Sequence, residues 1–530
     1  MNDYLIPTTL GFPLLSLLLI IPAVGALACL ALKNGTALKI WGLIVTLVCM
    51  AISWPLYSSF DPSTARYQFV ELRRWFPAVN LDYVVGVDGI SVLLVLMTTF
   101  IMPLCLLCSW RHIQSRIREF VVVILLMETA MIGVFISLNT VLFYIFWEGM
   151  LIPMYLIIAV WGGPRRDYAS IKFFLYTFTG SIFLLVAIIA LYITTGTFFI
   201  PALMDHAYSF DYQLLIFLGC ALSFAVKLPM FPLHTWLPAA HVEAPTAGSL
   251  ILASVLLKMG GYGFLRFCLP MAPAATLACA PYMIMLSLLS IVCGGYLALG
   301  QSDMKKLIAY SSVGHMGFVT LGIFLLSSVG LKGAILQMIN HAISTGALFI
   351  CVGLIYERTH SREISDNSPL GMAMPIYVTF LGIFCLSSFG FPGTNGFVSE
   401  ILVLIAIFKA WPVAGFVAIL GAILAAAYML RMLQKMVWGS SDGHAHHGGG
   451  HGEDAHVLWD VTPREFVTLA YLTFFVFWIG FNPAPLLEIM DASVTHLLGQ
   501  VDAGMRLTSL AIHGKQALFM DLGAWIKSVL

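Results

Sequence analysis

Charge is what this sequence lacks. Only 10% of its 530 residues are Asp, Glu, Lys or Arg, against a hydrophobic share of 60%. A water-soluble domain carries roughly a quarter charged residues. A chain this long with so few cannot hide its apolar surface in water, so its solvent must be lipid. The 26 basic and 26 acidic residues cancel to a net charge of zero. There is no basic arm and no acidic tail, which argues against nucleic acid as a partner. Also missing are a Walker loop, a dinucleotide-binding fingerprint and iron–sulfur cysteine spacing. The chain therefore has no evident energy source of its own. The start, Met1-Asn2-Asp3-Tyr4, lacks the basic region of a signal peptide, so the first apolar run is expected to be a retained helix. The ten cysteines are scattered through apolar segments. Cys105 and Cys108 have C-x-x-C spacing but no second pair nearby, and read as buried thiols rather than a metal site.

What is present is a series of apolar runs. A spanning helix needs about 20 mostly apolar residues. On that criterion spans fall near 13–32, 39–57, 88–109, 119–138, 140–161, 168–194, 213–240, 246–268, 277–299, 303–327, 331–356, 375–410, 412–437 and 464–482. The expected fold is thus an all-α integral membrane protein of about 14 transmembrane helices. Arginine and lysine set the orientation. The odd-numbered loops hold clusters such as Arg111, Arg116 and Arg118, Arg165 and Arg166, Lys305 and Lys306, and Arg358 and Arg362. The even-numbered loops hold Arg66, Arg73, Arg74, Arg266, Lys332 and Lys409. This bias puts the odd loops in the cytoplasm and both termini on the opposite face. Residues 58–87 read as a polar and aromatic loop on the outer surface. Residues 442–456 are a His-rich, glycine-rich cytoplasmic loop; such a tract can bind metal, and it reads here as a flexible, solvated linker, while residues 483–530 are expected along the membrane surface.

A few ionisable residues sit far from any span end: Glu128, Glu148, Lys227, Lys258 and Glu400, with His315 and His341 beside them. Each charge at mid-membrane costs at least roughly 3 kcal/mol on insertion scales. Such groups persist where they pair, face the protein interior or line a wet path. Glu148 and Lys227 have opposite signs and could pair. Glu128 has no evident partner, and Lys172 lies close enough to a helix end to snorkel. The backbone is broken beside two of the charges. Pro229 and Pro232 follow Lys227, and Pro392-Gly393 precedes Glu400. Irregular backbone at membrane depth survives only inside protein or along a cavity. Interrupted helices in matching places of two halves point to inverted repeats and an ion path. Here they are the seventh and twelfth spans, which fits two inverted five-helix repeats. The divisions are 1–118 for N-terminal helices with an outer loop, 119–268 and 269–440 for the repeats, and 441–530 for the linker, last span and surface segment. The chemistry suits protons. A buried lysine holds its proton while a carboxylate is near and releases it when the carboxylate withdraws, and histidine titrates near neutral pH.

Three motifs carry a resemblance. They are Phe146-Trp147-Glu148-Gly149-Met150-Leu151-Ile152-Pro153, Leu237-Pro238-Ala239-Ala240-His241-Val242-Glu243-Ala244-Pro245, and the run from Ser302-Asp303-Met304-Lys305-Lys306 through Ser311-Ser312-Val313-Gly314-His315. Over roughly 80–440 the chain resembles the antiporter-like subunits of proton-pumping NADH:quinone oxidoreductase, respiratory complex I. In that family, subunits L and N carry lysine on the broken twelfth helix, whereas the subunit M branch carries glutamate, as at Glu400. The chain is also too short for the lateral helix extension of subunit L. The resemblance implies that Glu148 modulates Lys227, that protons pass through Lys258 and His315 or His341, and that Glu400 lies toward the exit. It implies no cofactor or metal in this chain, with NAD, FMN, Fe–S clusters and quinone in partner subunits. The implied partners are other membrane subunits, including L and N, in a bacterial inner membrane with both termini periplasmic. A subunit of a multisubunit sodium/proton antiporter or of a membrane-bound hydrogenase is the alternative reading. A passive scaffold, in which the charges are dispensable, is the third.

Overall fold

The computed structural model describes residues 4–8, 10–439 and 459–512; the His-rich stretch 442–456 lies outside them. Apolar runs become helices because lipid offers backbone N–H and C=O groups no partner outside their own segment. Among the described residues, twelve helices are long and apolar enough to cross a membrane. The helices are α1 (Leu14–Ala28), α2 (Gly35–Ser58), α3 (Ser91–Cys108), α4 (Ile117–Ile136), α5 (Thr140–Trp161), α6 (Arg166–Thr195) and α7 (Phe210–Lys227), followed by α8 (Trp236–Glu243) and α9 (Thr246–Met271). Then come α10 (Pro273–Leu299), α11 (Met304–Phe324), α12 (Ser328–Thr359), α13 (Pro375–Ser388), α14 (Asn395–Ala410), α15 (Pro412–Trp438), α16 (Pro463–Phe481) and α17 (Ala484–Ile512). Polar caps mark several starts. Asn34, Asn139 and Asp303 accept from backbone N–H groups of the first turn, and Thr462 with Glu465 forms a capping box.

Both proline-marked breaks are there. α7 stops at Lys227, and the chain passes Pro229 and Pro232 before α8 begins at Trp236. α13 stops at Ser388 and α14 begins at Asn395. Between them Gly390 (φ +71°) and Gly393 (φ +88°) take left-handed conformations that side chains resist. α9 holds a feature that periodicity did not reveal. Two π-helical turns, Leu252–Leu256 and Phe264–Cys268, flank Lys258. The core of α9 is entirely enclosed by protein, so no lipid reaches the lysine. Small residues let α9 close on α7: a Cβ at Gly260 would stand 2.8 Å from the Phe224 carbonyl oxygen, and one at Gly263 2.4 Å from the Phe224 ring.

One segment differs from expectation. The loop over 58–87 contains a sheet, so the fold is helical but not purely so. β2 (Tyr67–Phe76) pairs antiparallel with β3 (Leu81–Val87), and β1 (Leu5–Pro7) joins β2 in parallel. Backbone pairing within the sheet satisfies the polar groups that an irregular loop would leave to water. The polar C-terminal stretch is the long helix α17 up to Ile512. The Gly89 N–H donates to Ser493 Oγ at 2.9 Å, Asp491 pairs with Lys332, and Gly504 packs on Pro273. All three contacts lie at the ends carrying the even-numbered loops, so α17 straps one face of the bundle.

Arg266, near the end of α9, binds Asp88 just after β3, with both side chains buried. Its Nε also donates to the Tyr262 hydroxyl at 3.1 Å, and its Nη1 to that of Tyr67 at 3.3 Å. Removing one partner of such a pair costs about 3–5 kcal/mol, because the other charge is left buried alone. Asp88→Asn should therefore lower the thermal midpoint of the detergent-purified complex clearly. The double variant Asp88→Asn with Arg266→Met should recover part of the loss. An unchanged midpoint in the single variant would refute this role for the pair.

Candidate functional site

The broken helix α13–α14 is stitched to α12 by polar side chains. Asn340 Nδ2 donates to the Asn395 carbonyl at 2.6 Å and to Ser399 Oγ at 2.9 Å, and Ser344 Oγ donates to Asn395 Oδ1 at 3.2 Å. These bonds tie the first turn of α14 to α12 across the break. They also aim the first turns of α14 inward and bring Glu400 to a buried position. A Cβ at Gly390 would sit 2.8 Å from Glu400 Oε2, so the glycine turn lies directly over the carboxylate.

Four of the six residues given a proton-transfer role from the sequence form one line. Lys258 Nζ lies 2.7 Å from His341 Nδ1 and also donates to the Ala253 carbonyl within its own helix. The first π-helical turn begins at Leu252, so the loosened ladder leaves that carbonyl facing the amine. The rings of His341 and His315 are 5.6 Å apart and edge to face. His315 Nδ1 is 3.2 Å from Glu400 Oε1, and its Nε2 is 3.2 Å from Ser388 Oγ. Gln337 Nε2 donates to the same Glu400 oxygen at 3.4 Å, and Ser399 donates to Gln337 Oε1. A small cavity of about 10 Å³, close to the space one water needs, lies among His315, His341, Asn340, Ser388 and Glu400. On its lining, His341 Nε2 and Asn340 Oδ1 have no protein partner among the described residues. Buried polar atoms of this kind are where ordered water completes the bonding.

The other two residues stand apart from this line. Lys227 is buried at the end of α7, with its Nζ 4.9 Å over the Trp147 ring. Glu148 is half-buried beside that tryptophan. Its charge lies within reach of Lys227, yet among the described residues the two form no ion pair. Lys172 is half-buried, with its amine 5.5 Å over Tyr168 and 6.0 Å over Tyr176. Glu128 is fully buried, and neither carboxylate oxygen has a partner among the described residues. Among those residues no group of three or more His, Cys, Asp or Glu could hold a metal.

Gln337, Asn340, Ser388 and Ser399 were not among the residues picked from the sequence. A signal for two of them was present. Residues 337, 340, 341 and 344 recur at helical spacing, a polar stripe on an apolar helix. Ser388 and Ser399 carried no such pattern.

Buried ionisable groups strung between two broken helices define a class of membrane subunit, the antiporter-like one. The comparisons agree. The family described as "NADH:quinone oxidoreductase/Mrp antiporter, TM" matches residues 137–425, and "NADH-ubiquinone oxidoreductase chain 4, amino terminus" matches 17–134. The chain is 44% identical over 524 residues to NADH-quinone oxidoreductase subunit M of Rhodobacter capsulatus, covering 94% of this chain and 99% of that one. It is 41% identical over 488 residues to NADH-ubiquinone oxidoreductase chain 4 of Arabidopsis thaliana, covering 91% and 97%. It superposes, with a TM-score of 0.81 and 29% identity, on a chain of respiratory complex I from Thermus thermophilus with bound NADH, covering 93% and 99%. The chain belongs to the subunit M, or chain 4, family of NADH:quinone oxidoreductase. Both relatives carry the names of NADH oxidoreductase subunits, which favours this membership over an antiporter or hydrogenase subunit.

Proposed function

We propose that this multi-pass subunit moves protons along Lys258, His341, His315 and Glu400, with Glu148 and Lys227 loading the line. The observation that carries the reading is the close succession of titratable groups inside an enclosed apolar bundle. Each can accept a proton and pass it on, and the adjoining cavity leaves room for water where direct contact is lacking. The driving energy comes from NADH oxidation and quinone reduction in partner subunits, which hold NAD, FMN, Fe–S clusters and quinone. Neighbours in the membrane include the related subunits L and N. Counting α1 and the broken pairs α7–α8 and α13–α14 as spans gives fourteen. The two breaks support inverted five-helix repeats over 119–268 and 269–440, between an N-terminal part, 1–118, and a C-terminal part, 441–530. The likeness to bacterial subunit M supports a bacterial inner membrane, and the arginine and lysine bias supports both termini on its periplasmic face, with α17 strapping that face.

Glu148 is assigned the gating role because, among the described residues, the Lys227 ammonium faces the Trp147 ring and forms no ion pair. A small movement of α5 would bring the carboxylate to the amine or take it away. Glu148→Gln removes that switch without changing side-chain size. NADH-driven proton uptake into vesicles carrying the assembled complex should fall roughly tenfold, equivalent to about 1.4 kcal/mol on the limiting step. Near-normal uptake would remove Glu148 from the mechanism.

A further inference from the structure

Ser388 is the last residue of α13, beside the second break, and it is buried. A serine or threonine inside a helix can satisfy its hydroxyl on the carbonyl four residues back. Thr177 does so on Phe173 at 2.8 Å, Ser287 on Met283 at 2.7 Å and Ser290 on Leu286 at 2.9 Å. Ser388 does not. Among the described residues its hydroxyl bonds only His315 Nε2, at 3.2 Å. Both ends of α13 are pinned, which sets where that hydroxyl lies. At the start, the backbone N–H groups of Ile376 and Tyr377 donate to the Asp460 carboxylate at 2.8 and 3.0 Å, and the Tyr377 hydroxyl donates to the Cys351 carbonyl of α12 at 3.1 Å. At the end, the neighbouring Ser387 donates to Asn395 Oδ1 across the break and meets Ser344 of α12.

The two nitrogens of His315 meet different surroundings. Nδ1 faces an acceptor, Glu400 Oε1, at 3.2 Å and a donor, Gln337 Nε2, at 3.5 Å. Ser399 fixes that amide by donating to Gln337 Oε1. Nδ1 therefore finds a partner whether it is bare or protonated. In a neutral ring Nε2 must take the opposite state, because one nitrogen donates and the other accepts. A backbone carbonyl, a common partner of a buried histidine, accepts only and would keep Nε2 a donor. A hydroxyl rotates, so it accepts from a protonated Nε2 and donates to a bare one.

We infer that Ser388 is a positioning residue whose rotating hydroxyl holds the His315 ring with Nδ1 on Glu400 in both protonation states of Nε2. The inference rests on the proposed line through His315. The ring keeps its place while a proton leaves Nδ1 for the carboxylate, since Nε2 stays bonded as donor or as acceptor. Without the hydroxyl, Nε2 loses its protein partner in both states, and the ring is free to turn from Glu400 toward the adjoining cavity.

The test uses the whole complex in proteoliposomes. Ser388→Thr and Ser388→Val are nearly equal in size and differ in the hydroxyl. The threonine variant should keep most of the NADH-driven pumping. The valine variant should lose at least about fivefold, the effect of one hydrogen bond on a reacting group. If the branched variants do not assemble, Ser388→Cys and Ser388→Ala form the pair; the thiol is a weak donor and acceptor, so the cysteine variant should pump clearly faster than the alanine one. Equal rates within the pair would show that the hydroxyl is not what matters and would overturn the proposal. Full pumping in the valine or alanine variant, with Glu400→Ala inactive, would overturn it and leave the line standing. Full pumping in Glu400→Ala as well would overturn the line.

Discussion

Lys258→Ala should abolish nearly all NADH-driven pumping, and Lys258→Arg should do little better. Lys258 is fully buried on a helix enclosed by protein, between two π-helical turns, with its amine on His341. Alanine leaves a gap between the uptake side and the histidines, and a loss of roughly tenfold or more is expected, about 1.4 kcal/mol per decade. Arginine keeps the charge but does not release its proton at any usable pH. Its planar fork is also larger than the site, whose neighbours include Ala253 and His341. The measurement is proton translocation per NADH oxidised by the assembled complex. Full activity in the arginine variant would show that the position needs only a fixed positive charge, and the relay role would fall.

The second large effect is expected at the other end of the line. Glu400→Ala should lose most pumping, again roughly tenfold, while the complex still assembles. Assembly is expected because the bonds that hold the break, from Asn340, Ser344 and Ser387 to Asn395 and Ser399, do not involve Glu400. What the alanine removes is the acceptor 3.2 Å from His315 Nδ1, which Gln337 also supports. Glu400→Lys should retain part of the activity, since an amine can also take and release a proton there, although Gly390 packs closely over the carboxylate. An alanine variant that pumps at the parent rate would make Glu400 structural and place the exit elsewhere.

The sequence was most legible where membrane physics leaves little choice. About twenty apolar residues in lipid must be helix, and the runs along the chain became helices within a few residues of their expected ends. Pro229 with Pro232, and Pro392 with two flanking glycines, had to interrupt α7 and the α13–α14 pair, because a proline lacks the donor a helix needs. An ionisable side chain inside such a run is too unfavourable to be accidental, so Lys258, Glu400, His315 and His341 stood out before any contact was known. The sheet around Tyr67–Phe76 was less legible, since its strands mix aromatic and charged residues.

Composition, span lengths, breaks and the list of buried charges were thus determined by the sequence alone, because each reflects the transfer of one segment into lipid. Which charges meet was decided only by the tertiary structure. Lys258 and His341 are 83 residues apart, and His315 and Glu400 85 apart; helix packing alone brings them within hydrogen-bonding distance. The same packing set a tryptophan ring against Lys227 where an ion pair with Glu148 was open. Hydrophobic periodicity says that a side chain turns away from lipid. It does not say what the side chain meets there, because that depends on how several helices, each satisfied in its own backbone, fit against one another.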